Sequence, residues 1–335
     1  MPPAQNVTMR HVARAARVAV STVSKALRND PALPEKRCRS IQAIAARLGY
    51  RPHPLVATLM SQLHHRRRRV DPHSLAWIDL WPEGEERGAA MKAEPLLLGA
   101  RERAEELGYG IEVYKAAGDG NSPERLRGLL AARGQWGLII PPVPESARRF
   151  PFELRGLAGV TIGTSLHEPV MHRASPNHFQ GCALALERLR AKGFARVGLV
   201  LTPAMNERVD GKWLGAFLAC QQLPPRSERV SALLAAVDDP VALARWLSRE
   251  RPDAVLVAEE FDWLAASRLE EQRAAPPRAW LLQQGNHRDL GHLDYRPAQL
   301  GRVAVEMVVA QIHRNERGSP ENPQTVLVDA VWVEG

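Results

Sequence analysis

"VTMRHVARAARVAVSTVSKALRND", residues 7–30, decides how the rest of the chain is read. Thr8 stands where a helix cap belongs, and "MRHVARAA" follows with Val12, Ala15 and Ala16 on one side. After "RVA" a second helix, "VSTVSKALR", places Val23, Ala26 and Leu27 at i, i+3, i+4. Val20, Ser21, Thr22 and Lys25 are left outward or toward its N-terminal end. A third segment, "PEKRCRSIQAIAARLGY", opens with Pro34 in its first turn and closes at Gly49. Its apolar stripe is Ile41, Ile44, Ala45 and Leu48. Two short helices joined by a tight turn, with a third to pack on, read as a helix-turn-helix.

Charge supports a nucleic-acid partner. The 335-residue chain has a formal net charge of +8. Residues 1–70 hold fourteen Lys/Arg against Asp30 and Glu35, a local net of +12, so the remainder carries −4. Basicity confined to one end and set on helical periodicity is a DNA footprint. The length and a 45% hydrophobic content support two or more domains with their own cores. No apolar run approaches a membrane span, and "MPPAQNVTMRH" lacks an apolar signal segment, so a cytoplasmic protein without a membrane partner is expected. Cys38, Cys182 and Cys220 are scattered and odd in number, giving neither metal spacing nor a disulfide framework. There is no phosphate-binding glycine motif and no nucleophile elbow. No metal, cofactor or catalytic residue is therefore expected.

The stretch "VTMRHVARAARVAVSTVSKALRNDPALPEKRCRSIQAIAARLGYRP" resembles the LacI/GalR family of bacterial transcription regulators. "TVSKAL" followed at this distance by "LGYRP" carries the likeness, which continues more weakly along the chain. The resemblance implies that the second helix enters the major groove. Val20 would meet a thymine methyl, Ser21 is a permissive polar reader, and Lys25 reaches guanine acceptors. Thr22 and Ser24 hold phosphates or the turn, and Thr8 joins them at the first helix's N-terminus. Two positions depart from the family. Arg17 takes the turn position usually given to Gly or Asn, where a left-handed backbone costs roughly 1 kcal/mol. It is read as trading that strain for a phosphate contact. Ala19 replaces the usual capping Ser, a loss of about 1 kcal/mol.

Pro52 blocks continuation of the third helix, and Pro54 starts a short one, "PLVATLMSQL", marginal alone in water. The resemblance implies that this segment folds on DNA and wedges Leu59 into the minor groove. "HHRRRR", residues 64–69, follows, and Arg66 and Arg67 are read as phosphate contacts with steep salt dependence. The expected domains are 1–51 for the helix-turn-helix, 52–73 for the hinge helix and basic linker, and 74–335 for an effector-binding and dimerisation domain.

From residue 74 strands alternate with helices: "SLAWIDLW", "IEVYKA", "WGLIIPP" and "GVTIGTS", then "RVGLVL", "PDAVLVA" and "RAWLLQQ". Two runs of βα units imply two doubly wound parallel sheets. The restart resembles the two-lobed periplasmic-binding-protein-like fold of the family, in which the chain crosses between lobes three times. Lobe 1 is expected over about 74–172 and 296–318, and lobe 2 over about 173–295 and 319–335. Ligands of such sheets sit beyond the carboxyl ends of strands. That rule selects Asp79 and Trp81, Asn206 and Arg208, and Glu259 and Glu260, with Gln284 after the last strand. Carboxylate, arginine and indole together suit a polyol. The resemblance makes Arg208 a hydroxyl-binding arginine. It also puts Glu259-Glu260 where Asn-Asp is common and Gln284 where Asp is usual. Of the eight tryptophans, 77, 136, 213, 246, 280 and 332 read as core, while Trp81 and Trp263 follow strand ends.

The expected protein is a sequence-specific regulator, in the first instance a repressor. It binds duplex operator DNA as a homodimer under control of a small, sugar-like effector. The competing reading is a sugar-binding or sugar-modifying protein with incidental N-terminal helices. An enzyme of that kind needs a paired acid and base, and Glu259 and Glu260 are adjacent, pointing apart unless the backbone turns.

Overall fold

The structure is a computed structural model. It describes residues 7–27, 33–48, 50, 74–82, 93–116, 122–150, 152–258, 278–282 and 291–334. The expected hinge helix, with Leu59, Arg66 and Arg67, lies outside the described residues, as do Glu259, Glu260, Trp263 and Gln284. The chain divides into two compact units.

The first unit, residues 1–72 with 310–316, contains three N-terminal helices: α1 (Met9–Ala16), α2 (Val20–Leu27) and α3 (Glu35–Arg47). Val12, Ala13, Val23, Ala26, Cys38, Ile41 and Ala45 form its buried core, with Ile44 and Leu48 packed at the edge. Ala15, expected on the inner face of α1, is exposed, and Ala13 takes that place. In an eight-residue helix of alanines the periodicity leaves the buried alanine ambiguous. Gln42 Nε2 donates to the Ala26 carbonyl at 2.8 Å, satisfying one of the acceptors that the last turn of α2 leaves open. So small a core leaves little stability to spare.

The second unit holds, in chain order, β1 (Ser74–Asp79), α4 (Ala93–Glu106), β2 (Gly110–Lys115), α5 (Pro123–Ala132), β3 (Gly137–Ile140), β4 (Ala158–Ile162), β5 (His172–Pro176), α6 (His178–Ala191) and β6 (Val197–Leu201). It continues with α7 (Pro203–Arg208), α8 (Lys212–Cys220), β7 (Leu233–Leu234), α9 (Pro240–Glu250), β8 (Ala254–Val257), β9 (Arg278–Leu281), β10 (His292–Asp294), α10 (Pro297–Arg314, up to Val309 in this unit), β11 (Thr325–Val328) and β12 (Val331–Val333). Two six-stranded sheets result, ordered β11-β5-β4-β3-β1-β2 and β12-β10-β9-β8-β6-β7. The first is all parallel. The second is parallel except for β12, which runs antiparallel to β10. Every residue of "GLII", "AGVTI", "VGLVL" and "AVLV" is buried, as strands covered by helices on both faces require.

Each sheet has its own core. Ile78, Leu138 and Ile140 pack with Leu126 and Leu130 of α5. Leu199, Leu201 and Leu256 pack with Leu186 of α6 and with Trp213 and Phe217 of α8. Trp246 of α9 covers the opposite face, against Val200, Val255 and Val257. Helices α4 and α10 meet backbone to backbone. A Cβ on Gly99 would lie 2.0 Å from the Ala298 carbonyl oxygen, and one on Gly301 2.0 Å from that of Leu96. Trp136, read from sequence as core, is 45% exposed, with the Arg317 guanidinium 5.8 Å from its ring centre. The tryptophan precedes β3 rather than lying within it, so the strand's burial does not extend to it.

The three crossings between lobes fall after β5, after β10 and after β11. Two expected boundaries shift. β5 stays in the first sheet through Pro176, past the expected break at 172. β11, expected in lobe 2, also joins the first sheet, pairing Thr325 with Arg173 and Val328 with Pro176. A βα rhythm marks where strands are but not which sheet each one pairs into. The crossings are tied together at Asp329. Asn177 Nδ2 donates to its carboxylate at 2.7 Å, and Arg296 Nη2 donates to its carbonyl at 2.7 Å.

Candidate functional site

In the first unit, the bond that opens α1 is local: the Thr8 amide donates to His11 Nδ1 at 3.1 Å. Arg17 ends α1 with φ 52° and ψ 45°, a left-handed backbone. The Val18 amide donates to the Ala13 carbonyl at 3.0 Å, closing the helix as a left-handed cap does. The sharp turn that results aims α2 away from α1. Burial of Val23 and Ala26 fixes the rotation of α2, so Val20, Ser21 and Lys25 face outward. Thr22 and Ser24 are half-buried on its flanks, while Thr8 and Arg17 are exposed. Ala19, ahead of α2, carries no side-chain acceptor, and its carbonyl accepts from the Thr22 and Val23 amides. The outcome is an exposed helix face of one apolar, one hydroxyl and one cationic group.

In the second unit, the carboxyl ends of β1, β3, β4 and β6 bring side chains of both lobes together. Asp79 is buried and accepts from the Trp81 amide at 3.2 Å. The Trp81 indole N–H donates to the Pro142 carbonyl at 2.8 Å, fixing the loop after β3. Thr202 caps α7, accepting from the Met205 amide at 3.0 Å. That short helix carries Asn206 and Arg208. Arg208 Nη2 donates across to the Val143 carbonyl at 3.1 Å, and Thr164 Oγ1 donates to the Arg208 carbonyl at 2.6 Å. Burial, then the charge of Arg148, push the Arg208 guanidinium below its ordinary value, while Glu145 opposes them. Asn206 Oδ1 is buried with no donor among the described residues.

Asp79, Trp81, Asn206 and Arg208, which the strand-end rule selects, lie on these loops, and so do Arg148 and Glu207, which it did not select and which form an ion pair across the lobes. The same strand-end rule, applied after "WGLIIPP", reaches Arg148 in "PESARRF". His178, at the start of α6, lies edge-on to Trp213 and Tyr295, and the Trp213 indole donates to the Tyr295 hydroxyl at 2.8 Å. Among the described residues no cluster suits a metal ion, and no helix is long and apolar enough to cross a membrane.

Residues 8–53 match the model for bacterial regulatory proteins of the lacI family. The N-terminal helix-turn-helix is thus a LacI-family DNA-binding domain. No curated protein matches the chain. Among solved structures, the chain is similar to a transcriptional regulator CelR–cellobiose complex, at 20% identity over 98% of each chain and a TM-score of 0.51. It is similar to a LacI-family regulatory protein from Chloroflexus aggregans, at 16% identity over 78% of this chain and 98% of that one, TM-score 0.52. It is also similar to the trehalose repressor of Escherichia coli, at 16% identity over 78% of this chain and all of that one, TM-score 0.51. At these identities the likeness establishes the fold. The LacI-family helix-turn-helix thus precedes a two-sheet α/β domain.

Proposed function

We propose that this LacI-family regulator represses transcription as a homodimer on near-palindromic duplex DNA, under control of a small, sugar-like effector bound between the lobes. The carrying observation is the outward face of α2, where Val20, Ser21 and Lys25 stand clear of a core that fixes the helix's rotation. Val20 meets a thymine methyl, Ser21 reads a polar edge and Lys25 reaches guanine acceptors. Thr8, Arg17, Thr22 and Ser24 hold phosphates. Leu59 wedges the operator centre, and Arg66 and Arg67 add salt-dependent grip. Asp79, Trp81, Asn206 and Arg208 contact the effector, together with Glu259, Glu260 and Gln284. A sugar-like effector is supported by the mixture of carboxylate, indole and arginine at these strand ends, and by the likeness to a regulator–cellobiose complex and to a trehalose repressor. No catalytic role is assigned to any residue. The two-fold symmetry of a homodimer makes the operator two-fold as well.

The test is selection of the purified protein on random duplex DNA at two salt concentrations. A palindrome with a flexible central pyrimidine–purine step is expected. Lys25→Ala is expected to cost about 1–3 kcal/mol at one base position per half-site and to relax the sequence there. Binding without sequence preference at both salt concentrations overturns the proposal.

A further inference from the structure

Arg148 and Arg208 come from different lobes and converge where the strand ends of the two sheets face each other. The Arg148 side chain is 11% exposed, whereas its partners Glu207 and Glu145 are 66% and 72% exposed. Guanidinium groups therefore sit inward and the carboxylates that offset them sit on the rim. Arg148 Nε is buried with no acceptor among the described residues. A buried donor without an acceptor is costly, and so is a pair of crowded cations away from water. A neutral polyol needs one arginine to orient its hydroxyls and does nothing for a second. An anion between the two offers several acceptor oxygens to planar donors suited to bind them in pairs.

We infer that the space between these strand ends takes a polyol bearing one anionic group, a phosphate or a carboxylate, anchored by Arg148 and Arg208, and that Glu207 offsets the Arg148 charge from the rim until the ligand arrives. This rests on reading the cleft as the effector site. Ligand binding exchanges an internal carboxylate for an external anion, so it breaks the Arg148–Glu207 bridge between lobes while replacing its charge. The effector thereby acts directly on the contact that joins the lobes.

The full chain is titrated calorimetrically with inorganic phosphate and with glucuronate, each at ionic strength matched with chloride, and with glucose as the neutral reference. At least one anion is expected to saturate and to bind at least tenfold tighter than glucose. Phosphate alone saturating assigns a phosphate ester; glucuronate alone assigns a carboxylate. Arg148→Gln is expected to weaken that anion at least tenfold. Glu207→Gln, at an exposed position, is expected to tighten it severalfold, because the competing carboxylate is gone. Saturation by neither anion, equal binding by Arg148→Gln, or no gain in Glu207→Gln overturns the inference. DNA selection on the same preparation separates the two readings. Lost sequence specificity removes the regulator and leaves the anion result standing, and the converse holds equally.

Discussion

Arg17 shows how much one backbone angle decides. Its left-handed conformation sets the turn between α1 and α2 and hence the direction of the outward helix. Glycine adopts that conformation without the side-chain clash, so Arg17→Gly is expected to stabilise the chain by about 1 kcal/mol in urea denaturation. The same change is expected to weaken DNA binding evenly across sequences and to lower the salt slope by about one. Stability and affinity moving in opposite directions identifies a strained phosphate contact; both falling together removes that role. His178 makes a second residue-scale case. Burial first, then Lys212, lower its pKa from 6.5 to about 3, against a weaker pull from Asp210. Above pH 6.5 neither state is protonated and stability does not depend on this group. As pH falls toward 3, the unfolded chain takes a proton that the folded chain refuses. Stability therefore drops with acid, by about 2 kcal/mol at pH 5. His178→Phe, which keeps an aromatic ring beside Trp213 and Tyr295, is expected to flatten that loss between pH 7.5 and pH 5 in urea melts.

Between elements, close packing dominates. Helices α4 and α10 touch through Gly99 and Gly301, where a Cβ would sit inside backbone atoms of the other helix. Ion pairs line the same seam, Arg302 to Glu106 at 2.8 Å and Arg103 to Glu306 at 2.8 Å. These pairs are partly exposed and worth at most about 1 kcal/mol each. The glycines matter more. Gly301→Ala is expected to push the helices apart and cost about 1–3 kcal/mol, read as a lower Tm. Arg302→Ala is expected to cost less than half of that. The helix positions were legible in the sequence from 3.6-residue periodicity. Their backbone contact was not, because a glycine inside a helical pattern reads only as a weak position.

For the whole molecule, Asp329 joins the three crossings through Asn177 and Arg296, so lobe motion must work against these bonds. Asp329→Ala removes the Asn177 bond and keeps the backbone carbonyl that Arg296 holds; combined with Arg296→Ala, which removes the other two bonds, it is expected to leave operator selection intact but to reduce the coupling between effector and DNA. In the parent chain, effector must change DNA affinity by the same factor that DNA changes effector affinity. Two titrations, each with the other ligand present and absent, measure both factors. Unequal factors rule out a single equilibrium linking the sites, and an unchanged coupling in the double variant removes the hinge role.

The local pattern alone determined the helix-turn-helix, because "VSTVSKAL" and the segments beside it bury their own apolar stripes within a few residues. It also determined the two runs of parallel strands, whose apolar stretches need cover on both faces. The strand-end rule reached Asp79, Trp81, Asn206 and Arg208 without a structure. Three things waited for the tertiary fold: the sheet that β5 and β11 join, the exposure of Trp136, and the meeting of Arg148 with Glu207 across the lobes. Each is a contact between residues distant in sequence. Periodicity records which face of an element is apolar, and only packing selects what that face, or a charged loop beside it, will meet.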